Sequence, residues 1–470
     1  MVPLGGRSSA LTSLRPVGSV WPNLNGLGAD PPGDGEGGVE TKTIMAELVG
    51  NLLVAQSGGP TCAINASLAG VIREAGKHEC IEEIYGGLNG ILGILQENLV
   101  DLNDEKSKTI EGLKHTPAAA LGTCRYKVDF KRKPAQAAKD MDRLFEVFQA
   151  HNIRYFFYAG GNDSQDTSHK IHEDALRRGY DLRVIGVPKT IDNDLPFTDS
   201  CPGYGSVVKH DATVVMEVGI DVGSMATDDG SCCIIEVMGR SAGWIAGGTV
   251  LAKRGNPAAA PHIVLLPEIR YDMEAVMAKI KEVVEAYRYC VMVVGEGIKD
   301  QEGKEIGADV TRLDAFGHPV LAGAAEKLKE HVQGRLNTKT RTVILGYAQR
   351  AAGHSASLTD IDNAFACGEA AVRAAVEGQS GFMVKIVRSP RGDGTVAWST
   401  GLHPLAEVAN VEHFVPRDWV SEDGFMPNEK FVEYARPLVE GEVKVPMEGG
   451  LPKYVTLEKS PVEKKLPPRA

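Results

Sequence analysis

Short apolar runs alternate with amphipathic stretches from Asn51 onward, and this alternation limits the possible folds more than any other feature of the chain. The run Ile153–Tyr158 has the length and composition of a buried strand, whereas Ala135–Ala150 places Met141 and Leu144 on one face of a helix. Strands that alternate with helices form βαβ units, whose parallel strands are covered by helices on both faces. The pattern therefore predicts an α/β fold with mainly parallel sheets.

The individual predictions cover most of the chain between Asn51 and Val387. The predicted strands are Asn51–Gln56, Ile153–Tyr158, Arg183–Val187, Cys232–Val237, His262–Leu266, Cys290–Val294, Arg341–Leu345 and Phe382–Val387. The predicted helices are Ala135–Ala150, Ser164–Arg178, Ser206–Gly219, Met273–Tyr287 and Pro319–Val332. Ligands of such folds bind beyond the carboxyl ends of the strands, so functional residues are expected directly after the predicted strands.

Length, charge and cysteine content exclude several classes of protein. A chain of 470 residues is too long for one small core, so two domains are expected. The net charge of -11 argues against nucleic acid or a membrane surface as a general partner, and no apolar run approaches the roughly 18 residues that span a bilayer. The 8 cysteines contain no CxxC pair, which is typical of free thiols in a reducing cytoplasm. A cytoplasmic protein is therefore expected.

The two ends of the chain differ in composition from the middle. Residues 1–44 contain a stretch rich in Gly, Pro and acid, from Asp30 to Gly38, and are predicted to be disordered. Met45, just before the first strand, is a candidate start of the biological chain. Residues 45–419 are predicted to form the folded core of two interleaved α/β subdomains, and residues 420–470, rich in Pro, Glu and Lys, form a C-terminal extension.

Two glycine-containing turns follow predicted strands. They are SGGPT, which begins at Ser57, and GGNDS, which begins at Gly160. Glycines let the backbone approach an anion, and the N-terminus of the following helix supplies N–H groups and a positive dipole end. A tight strand-to-helix turn also requires glycine, and Asp163 or Ser164 is a good helix cap. Each motif alone thus indicates either a phosphate-binding turn or an ordinary one.

A third turn, PKTIDND from Pro188 to Asp194, is the most informative. It brings a lysine, a threonine hydroxyl and two carboxylates within six residues of a strand end. Phosphoryl transfer to an alcohol needs a carboxylate that accepts the hydroxyl proton and cations that neutralise the moving phosphate. A lone acidic turn is usually a solvated loop, but this one supplies both chemical groups.

Further polar residues follow later strands. EVMGR, from Glu236 to Arg240, places a flexible glycine before an arginine, which lets a guanidinium and backbone N–H groups reach one phosphate. A helix-start arginine in a surface pair is the alternative. Other candidate groups, each of which could singly be a surface or structural residue, are Arg125, Glu296, Arg341, Tyr347 and Arg350. Together they offer the basic groups that a bis-anionic sugar needs within an acidic protein.

The order and spacing of these motifs resemble those of the phosphofructokinase family over roughly Asn51 to Pro390. The resemblance implies two α/β domains with the active site in the cleft between them. It implies that Asp192 is the general base on the 1-hydroxyl of fructose 6-phosphate, with Lys189 and Arg240 as further catalytic groups. The sugar phosphate is expected to bind to Thr190, Ile191, Asp192, Met238, Gly239, Arg240, Glu296, Arg341, Tyr347, Ala348, Gln349 and Arg350.

Two positions indicate which donor is used. Family members that use ATP carry glycine where this chain has Asp163 and Lys189. An aspartate there would obstruct a nucleotide α-phosphate, and a lysine would bind diphosphate, so diphosphate is the expected donor and the reaction is expected to be near-reversible, serving glycolysis or gluconeogenesis. The expected diphosphate-binding residues are Gly58, Gly59, Arg125, Asp163 and Lys189. An ATP-dependent 6-phosphofructokinase and a non-catalytic, sugar-phosphate-binding regulatory subunit are the alternatives.

The resemblance also implies Mg²⁺ and a homo-oligomer, with a dimer favoured and part of the 6-phosphate pocket contributed by a neighbouring subunit. The chain departs from the family pattern at the metal. The usual metal-binding aspartate is Asn162 here, and an amide can coordinate through oxygen but contributes no charge. Asn162 is therefore a weak candidate ligand and Asp163 a possible one, and diphosphate itself is expected to carry much of the Mg²⁺.

Residues 1–44 are predicted to be dispensable, because their composition cannot form a packed core. A chain that begins at Met45 should have the melting temperature and kcat of the full chain, measured by calorimetry and by a steady-state assay. Loss of soluble protein or of activity in the shortened chain would show that this segment packs against the core.

Overall fold

The computed structural model describes residues 48–313, 319–321 and 323–469. The chain divides into two units, Met1–Ala46 and Glu47–Ala470. The prediction of disorder for residues 1–44 lies outside the described residues. Among the helices that the structure describes, none is long and apolar enough to cross a membrane.

The strands of the described residues fall into two main sheets and three small ribbons. In chain order they are β1 Gly50–Gln56, β2 Ile81–Gly87, β3 Leu99–Asp101, β4 Ile153–Gly160, β5 Arg183–Pro188, β6 Ser231–Val237, β7 Ile263–Leu265, β8 Arg270–Tyr271, β9 Tyr289–Gly295, β10 Lys299–Asp300, β11 Ala308–Leu313, β12 Pro319–Leu321, β13 Lys339–Ile344, β14 Phe382–Pro390, β15 Val396–Pro404, β16 Met447–Glu448, β17 Leu451–Pro452 and β18 Ser460–Pro461.

The α-helices connect and cover the strands. In chain order they are α1 Ile64–Ala75, α2 Gly90–Leu95, α3 Ser107–Leu113, α4 Pro134–Ala150, α5 Asn162–Arg178, α6 Tyr204–Ser224, α7 Trp244–Gly248, α8 Met273–Tyr287, α9 Ala324–Leu336, α10 Ala348–Ala351, α11 Leu358–Val376, α12 Leu405–Val408 and α13 Glu429–Ala435. The described residues also form four short 3₁₀ helices, which are Thr249–Lys253, Gly353–Ser355, Arg417–Trp419 and Arg436–Val439.

The larger sheet has eight strands in the order β15-β14-β5-β4-β1-β2-β3-β18. Its middle five strands, β14 to β2, pair in parallel, whereas β15, β3 and β18 pair antiparallel at its two margins. The smaller sheet has the order β13-β6-β9-β7 and is parallel throughout. The predicted α/β fold with mainly parallel sheets is therefore confirmed.

Both faces of the larger sheet are buried. In β1, Leu52 and Val54 belong to one hydrophobic cluster, and Leu53 and Ala55, which point the other way, belong to a second cluster. Alternate residues of a strand face opposite sides of the sheet, so a strand that is apolar at every position must be covered on both sides. This is why the continuous apolar runs of the sequence become central parallel strands.

Most predicted elements are confirmed, with boundaries within a few residues, and one is wrong. The predicted helix Pro319–Val332 begins too early, because Pro319–Leu321 pairs with Ala308–Leu313 as a strand and the helix is Ala324–Leu336. The sequence analysis also missed the longest helix of the second half of the chain, α11.

Helix α11 packs on α1 at glycine contacts that bring the two backbones together. A Cβ atom at Gly70 of α1 would lie 2.2 Å from the Phe365 carbonyl oxygen, and one at Gly368 of α11 would lie 2.1 Å from the Ser67 carbonyl oxygen. This contact fixes α1, which begins directly after the SGGPT turn, against the sheet. The position of that turn therefore depends on α11.

The C-terminal extension has two parts. Phe431 and Ala435 of α13 pack in the core of the smaller sheet, whereas the last residues lie along the larger sheet. Ser460–Pro461 pairs with β3 as the last strand, the Val455 amide donates to the Thr116 hydroxyl at 3.1 Å, and the Arg143 guanidinium donates to the Pro467 carbonyl at 2.7 Å. These last residues thus follow the surface of the first lobe, defined here as the part of the chain that packs on the larger sheet.

Replacing Gly70 with alanine should lower the free energy of unfolding by about 1–3 kcal/mol, because the added methyl group meets backbone that cannot move without separating α1 from α11. Gly334→Ala is the matched control, since Gly334 is helical and a Cβ there meets nothing within 4 Å. That change should stabilise by about 0.5–1 kcal/mol. Equal effects of the two substitutions in urea unfolding would contradict the proposed contact.

Candidate active site

The predicted functional turns meet in one cleft at the carboxyl ends of strands β1, β4 and β5. A cavity of about 650 Å³ opens there. Its lining residues are Ser57, Gly58, Gly59, Cys124, Arg125, Tyr126, Gly161, Asn162, Asp163, Ser164, Lys189, Thr190, Asp192, Asp194, Asn410, Glu412 and Phe414. The turns SGGPT, GGNDS and PKTIDND, which are about 130 residues apart in the chain at most, therefore line a common space.

Lys189 is the buried cation at the floor of this cavity. Its side chain is 2% exposed, and Nζ donates a hydrogen bond to the Gly59 carbonyl oxygen at 2.8 Å. Burial lowers the pKa of the ammonium to about 8, although the charges of Asp192 and Asp194 act in the opposite direction. The lysine thus connects the third turn to the first and presents a cation with little water around it.

Asp192 is partly buried and surrounded by both signs of charge. Burial raises the pKa of its carboxyl well above the usual range, and the carboxylates of Asp194 and Glu296 raise it further, whereas Lys189 and Arg350 act in the opposite direction. A carboxylate with a raised pKa is a stronger base than a solvated one, so this side chain suits proton abstraction.

The PKTIDND turn is held by its own side chains. Asn193 has a φ of 55°, in the left-handed region that asparagine tolerates better than most residues. Its Oδ1 accepts from the Cys201 amide at 2.9 Å, and its Nδ2 donates to the Tyr434 hydroxyl at 2.7 Å. The Thr190 hydroxyl accepts from the Asp192 amide at 3.1 Å. The turn that carries Asp192 is therefore fixed on both sides. The Ile191 side chain is buried in the core beneath it.

Residues 238–240 (MGR) and Glu296 directly follow strands β6 and β9 of the smaller sheet, and Glu296 is close enough to raise the pKa of Asp192. Gly239 has a φ of 120°, which only glycine adopts readily, and the Met238 amide donates to Gln349 Oε1 at 3.1 Å. Burial raises the pKa of Glu296, while the Gly239 amide, Arg240 and Arg125 lower it. Arg240 also lies 3.5 Å from Glu305.

Arg350 crosses the cleft toward the SGGPT turn. A Cβ atom at Gly59 would lie 2.9 Å from Arg350 Nη1, so the absence of a side chain at Gly59 lets the guanidinium come this close. The guanidinium stacks on Tyr347 at 4.3 Å from the ring centroid. Burial lowers the pKa of Arg350, and the nearby charge of Arg125 adds to this effect. Arg350 therefore reaches the same cleft, and Ala348 and Gln349 precede it in α10.

Arg341 lies apart from these groups. It is exposed on β13, the edge strand of the smaller sheet, where it pairs in register with Cys233. Tyr347, which is 71% exposed, lies beyond the end of the same strand. The structure of one chain thus brings Arg350 to the cleft but leaves Arg341 on an open edge.

Asp163 is ion-paired at the rim of the cavity. Its Oδ1 is 2.6 Å from Lys127 Nζ, which also lies 3.7 Å from Asp166. Burial alone would lower the pKa of Lys127, but the hydrogen bond and charge of Asp163 outweigh it and raise the pKa. Asp163 therefore lies at the rim of the cavity as one partner of an ion pair. In the SGGPT turn, which lines the same cavity, the Gly58 carbonyl oxygen accepts a hydrogen bond from the Thr123 hydroxyl at 2.6 Å.

The side chain of Asn162 forms hydrogen bonds with two backbone groups. Its Oδ1 accepts from the Asn410 amide at 2.8 Å, and its Nδ2 donates to the Val411 carbonyl oxygen. Within the described part of the chain there is no group of three or more His, Cys, Asp and Glu side chains that could hold a metal ion.

The sequence analysis missed the residues of the cavity wall that come from the segment 410–414. Asn410, Glu412 and Phe414 line the cavity together with the three turns. Burial is the main cause of the raised pKa of Asp194, and Glu412 is close enough to raise this pKa further. The segment follows no strand and contains no glycine motif, so no local pattern indicates its place. Lys127 was missed for the same reason.

Comparisons with known proteins agree with this geometry. A family model described as phosphofructokinase matches residues 51–375. The chain is 46% identical over 419 residues, 89% of this chain and 98% of the relative, to the pyrophosphate–fructose 6-phosphate 1-phosphotransferase of Halomonas elongata. It is 44% identical over 418 residues, 88% and 98% of the two chains, to the enzyme of that name from Methylococcus capsulatus. The crystal structure of pyrophosphate-dependent phosphofructokinase from Marinobacter aquaeolei superposes with a TM-score of 0.81 at 41% identity, covering 90% of this chain and 100% of that one.

Proposed function

The chain belongs to the phosphofructokinase family, and on that premise we propose that it transfers a phosphoryl group from diphosphate to the 1-hydroxyl of fructose 6-phosphate. The products are fructose 1,6-bisphosphate and phosphate. The observation that carries the proposal is the pairing of a partly buried carboxylate, Asp192, with a buried ammonium, Lys189, at one end of a cavity lined by two glycine turns.

Side chains of this protein can be assigned to each chemical step of the proposed reaction. The Asp192 carboxylate accepts the proton of the 1-hydroxyl, the hydroxyl oxygen bonds to phosphorus, and the bond from phosphorus to the bridging oxygen breaks. The departing phosphate takes the electron pair of that bond. Lys189 and Arg240 neutralise the charge that moves with the phosphoryl group, and a preorganised cation acts most strongly where burial excludes water, as it does at Lys189.

The acceptor is proposed to lie between the PKTIDND turn and the smaller sheet. Thr190, Ile191 and Asp192 face its reacting end, and Met238, Gly239, Arg240 and Glu296 surround the sugar. Tyr347, Ala348, Gln349 and Arg350 bind the 6-phosphate. Arg341 is exposed on an edge strand, which supports the expectation that the 6-phosphate pocket is completed between subunits of a homo-oligomer, most simply a dimer.

The donor is proposed to bind to Gly58, Gly59, Arg125 and Lys189, with Asp163 at the outer limit. The names of the relatives that cover nearly the whole chain support diphosphate over ATP. The contacts of Asp163 nevertheless change the reason why ATP is expected to be disfavoured. Asp163 is ion-paired with Lys127, so the obstacle to a nucleotide is the volume of a neutralised pair as much as a negative charge.

Mg²⁺ is proposed to enter with diphosphate as its counter-ion, where it neutralises the phosphate oxygens. This agrees with the lack of a metal cluster among the described side chains. All 8 cysteines are buried and free, which supports the proposal of a reducing, cytoplasmic location.

Replacing Asp192 with asparagine should lower kcat by about 10²–10⁴-fold and change the affinity for fructose 6-phosphate much less. The Asp192 carboxyl must be deprotonated to accept a proton, and burial raises its pKa. The kcat/KM of the wild type should therefore fall as the pH decreases through this raised pKa. Lys189 loses its charge as the pH rises through about 8, which should produce a second, alkaline limb.

Asp272→Asn is the control for this test, because it exchanges one good helix cap for another outside the cleft. It should retain the wild-type rate within about twofold, a difference of about 0.4 kcal/mol. An Asp192→Asn enzyme within threefold of the wild type would remove Asp192 from the base role.

Asp163→Gly should raise the ratio of kcat/KM for ATP to that for diphosphate, because it removes the rim side chain and frees Lys127 for a longer donor. Lys189→Met should instead lower diphosphate turnover by about 10²-fold or more, since it keeps the side-chain volume but removes a cation from the transferring phosphate. Initial rates with both donors at equal Mg²⁺ measure this. A wild type that prefers ATP would overturn the donor assignment.

A further inference from the structure

Asn162 occupies the position where the family resemblance implies a metal-binding aspartate, but the structure gives this side chain a different set of partners. Its amide accepts from one backbone N–H, that of Asn410, and donates to one backbone carbonyl, that of Val411. A carboxylate could accept from the first but would place an oxygen against the second. The two bonds therefore require an amide, and they explain why asparagine stands here.

The segment that Asn162 holds, residues 410–415, is named here the strap. It is tied to the first lobe at two further points, because the Asn410 side chain donates to Asp166 at 3.0 Å and the His413 amide donates to the Asp194 carbonyl at 2.8 Å. The strap thus contacts both the GGNDS helix and the PKTIDND turn.

The other end of the strap is tied to the second lobe, the part of the chain that packs on the smaller sheet. Trp244 Nε1 donates to the His413 carbonyl at 2.8 Å, and the Val415 amide donates to Glu268 Oε1 at 3.0 Å. Glu268 Oε1 also accepts from the amide of Gly243, three residues after Arg240, at 2.8 Å. The strap therefore bridges the two lobes beside the cleft.

The strap also forms part of the cavity in which the donor is proposed to bind. Asn410, Glu412 and Phe414 line that cavity together with Lys189 and Arg125. Phe414 is 45% exposed although it is a large apolar residue. The position of this ring and of the Glu412 carboxylate follows the strap backbone, which is held by Asn162 and Asp194 on the side of the first lobe and by Trp244 and Glu268 on the side of the second lobe.

We infer that Asn162 is a positioning residue of the donor site, which fixes the strap as one wall of the diphosphate pocket and does not serve as a metal ligand. The inference rests on the proposed function for its kinetic consequence, but its structural part does not. An anchored wall costs little entropy when diphosphate binds, whereas a loose wall must be ordered at that moment, which weakens binding. Loss of the anchor should therefore act on the donor and spare the acceptor.

The first test measures hydrogen–deuterium exchange of the unliganded protein. Asn162→Ala should exchange about tenfold faster than the wild type in the peptide that covers residues 410–415, because the Asn410 amide loses its acceptor and the strap loses one anchor. Asn256→Ala is the matched control. Asn256 also accepts a backbone N–H with Oδ1, from Ala258 at 3.1 Å, but it lies outside the cavity, so strap exchange should not change.

Asn410→Gly provides a second variant that leaves residue 162 intact. It removes the side-chain bond to Asp166, and glycine suits the backbone there because Asn410 has a φ of 63°. Like Asn162→Ala, this variant should accelerate the hydrogen–deuterium exchange of the strap. Unchanged strap exchange in both Asn162→Ala and Asn410→Gly would overturn the inference.

The second test separates positioning from metal binding. Asn162→Ala should raise KM for diphosphate about five- to tenfold and leave KM for fructose 6-phosphate within twofold. Asn162→Asp should also loosen the strap and should not lower the Mg²⁺ concentration needed for half-maximal rate. If Asn162→Asp instead lowers that concentration with unchanged exchange, position 162 is a metal position and the inference is wrong. A wild type without diphosphate turnover would contradict the proposed function, while the exchange comparison would still decide the role of Asn162.

Discussion

The burial of the Lys189 ammonium against the Gly59 carbonyl is the interaction on which the rest of the site depends. A buried cation is costly unless it has hydrogen-bond acceptors and opposite charge nearby. The PKTIDND turn supplies that charge through Asp192 and Asp194, and the first turn must bring its carbonyl within hydrogen-bond distance. Both requirements are met only if β1 and β5 end at the same edge of the sheet, which the parallel order β5-β4-β1 ensures.

The same charges make Asp192 reactive. If Lys189 were fully solvated, its field at Asp192 would be weak, and if Asp192 itself were solvated, its carboxyl would be a poorer base, because burial is the largest cause of its raised pKa. The site instead combines two carboxylates that raise the pKa with two cations that limit the rise. The balance leaves a carboxylate that can take a proton near neutral pH beside a cation that can receive the phosphoryl charge.

Much of this arrangement could be predicted from the sequence, because parallel strands place the residues that follow them at a common edge. That rule located SGGPT, GGNDS and PKTIDND together without any knowledge of the contacts. It could not locate α11, whose small residues Ala and Gly give a weak apolar pattern but allow the backbone contact at Gly70. It also could not locate the strap, whose place beside GGNDS depends on bonds between residues about 250 positions apart.

The contacts seen in the structure differ most from the roles suggested by the sequence motif at positions 162 and 163. From the sequence, Asn162 is a candidate metal ligand and Asp163 a candidate donor-binding residue. In the structure Asn162 faces the strap, and Asp163 faces Lys127. The charges of Asp163 and Lys127 thereby offset each other, and the positive charge that faces the cavity comes from the exposed Arg125 and the buried Lys189. If diphosphate binds as proposed, a short donor that carries its own cation is held between those groups, whereas a longer donor meets the Asp163–Lys127 pair. Under that proposal, donor length, and not the charge of one aspartate alone, is the property by which this pocket selects its donor.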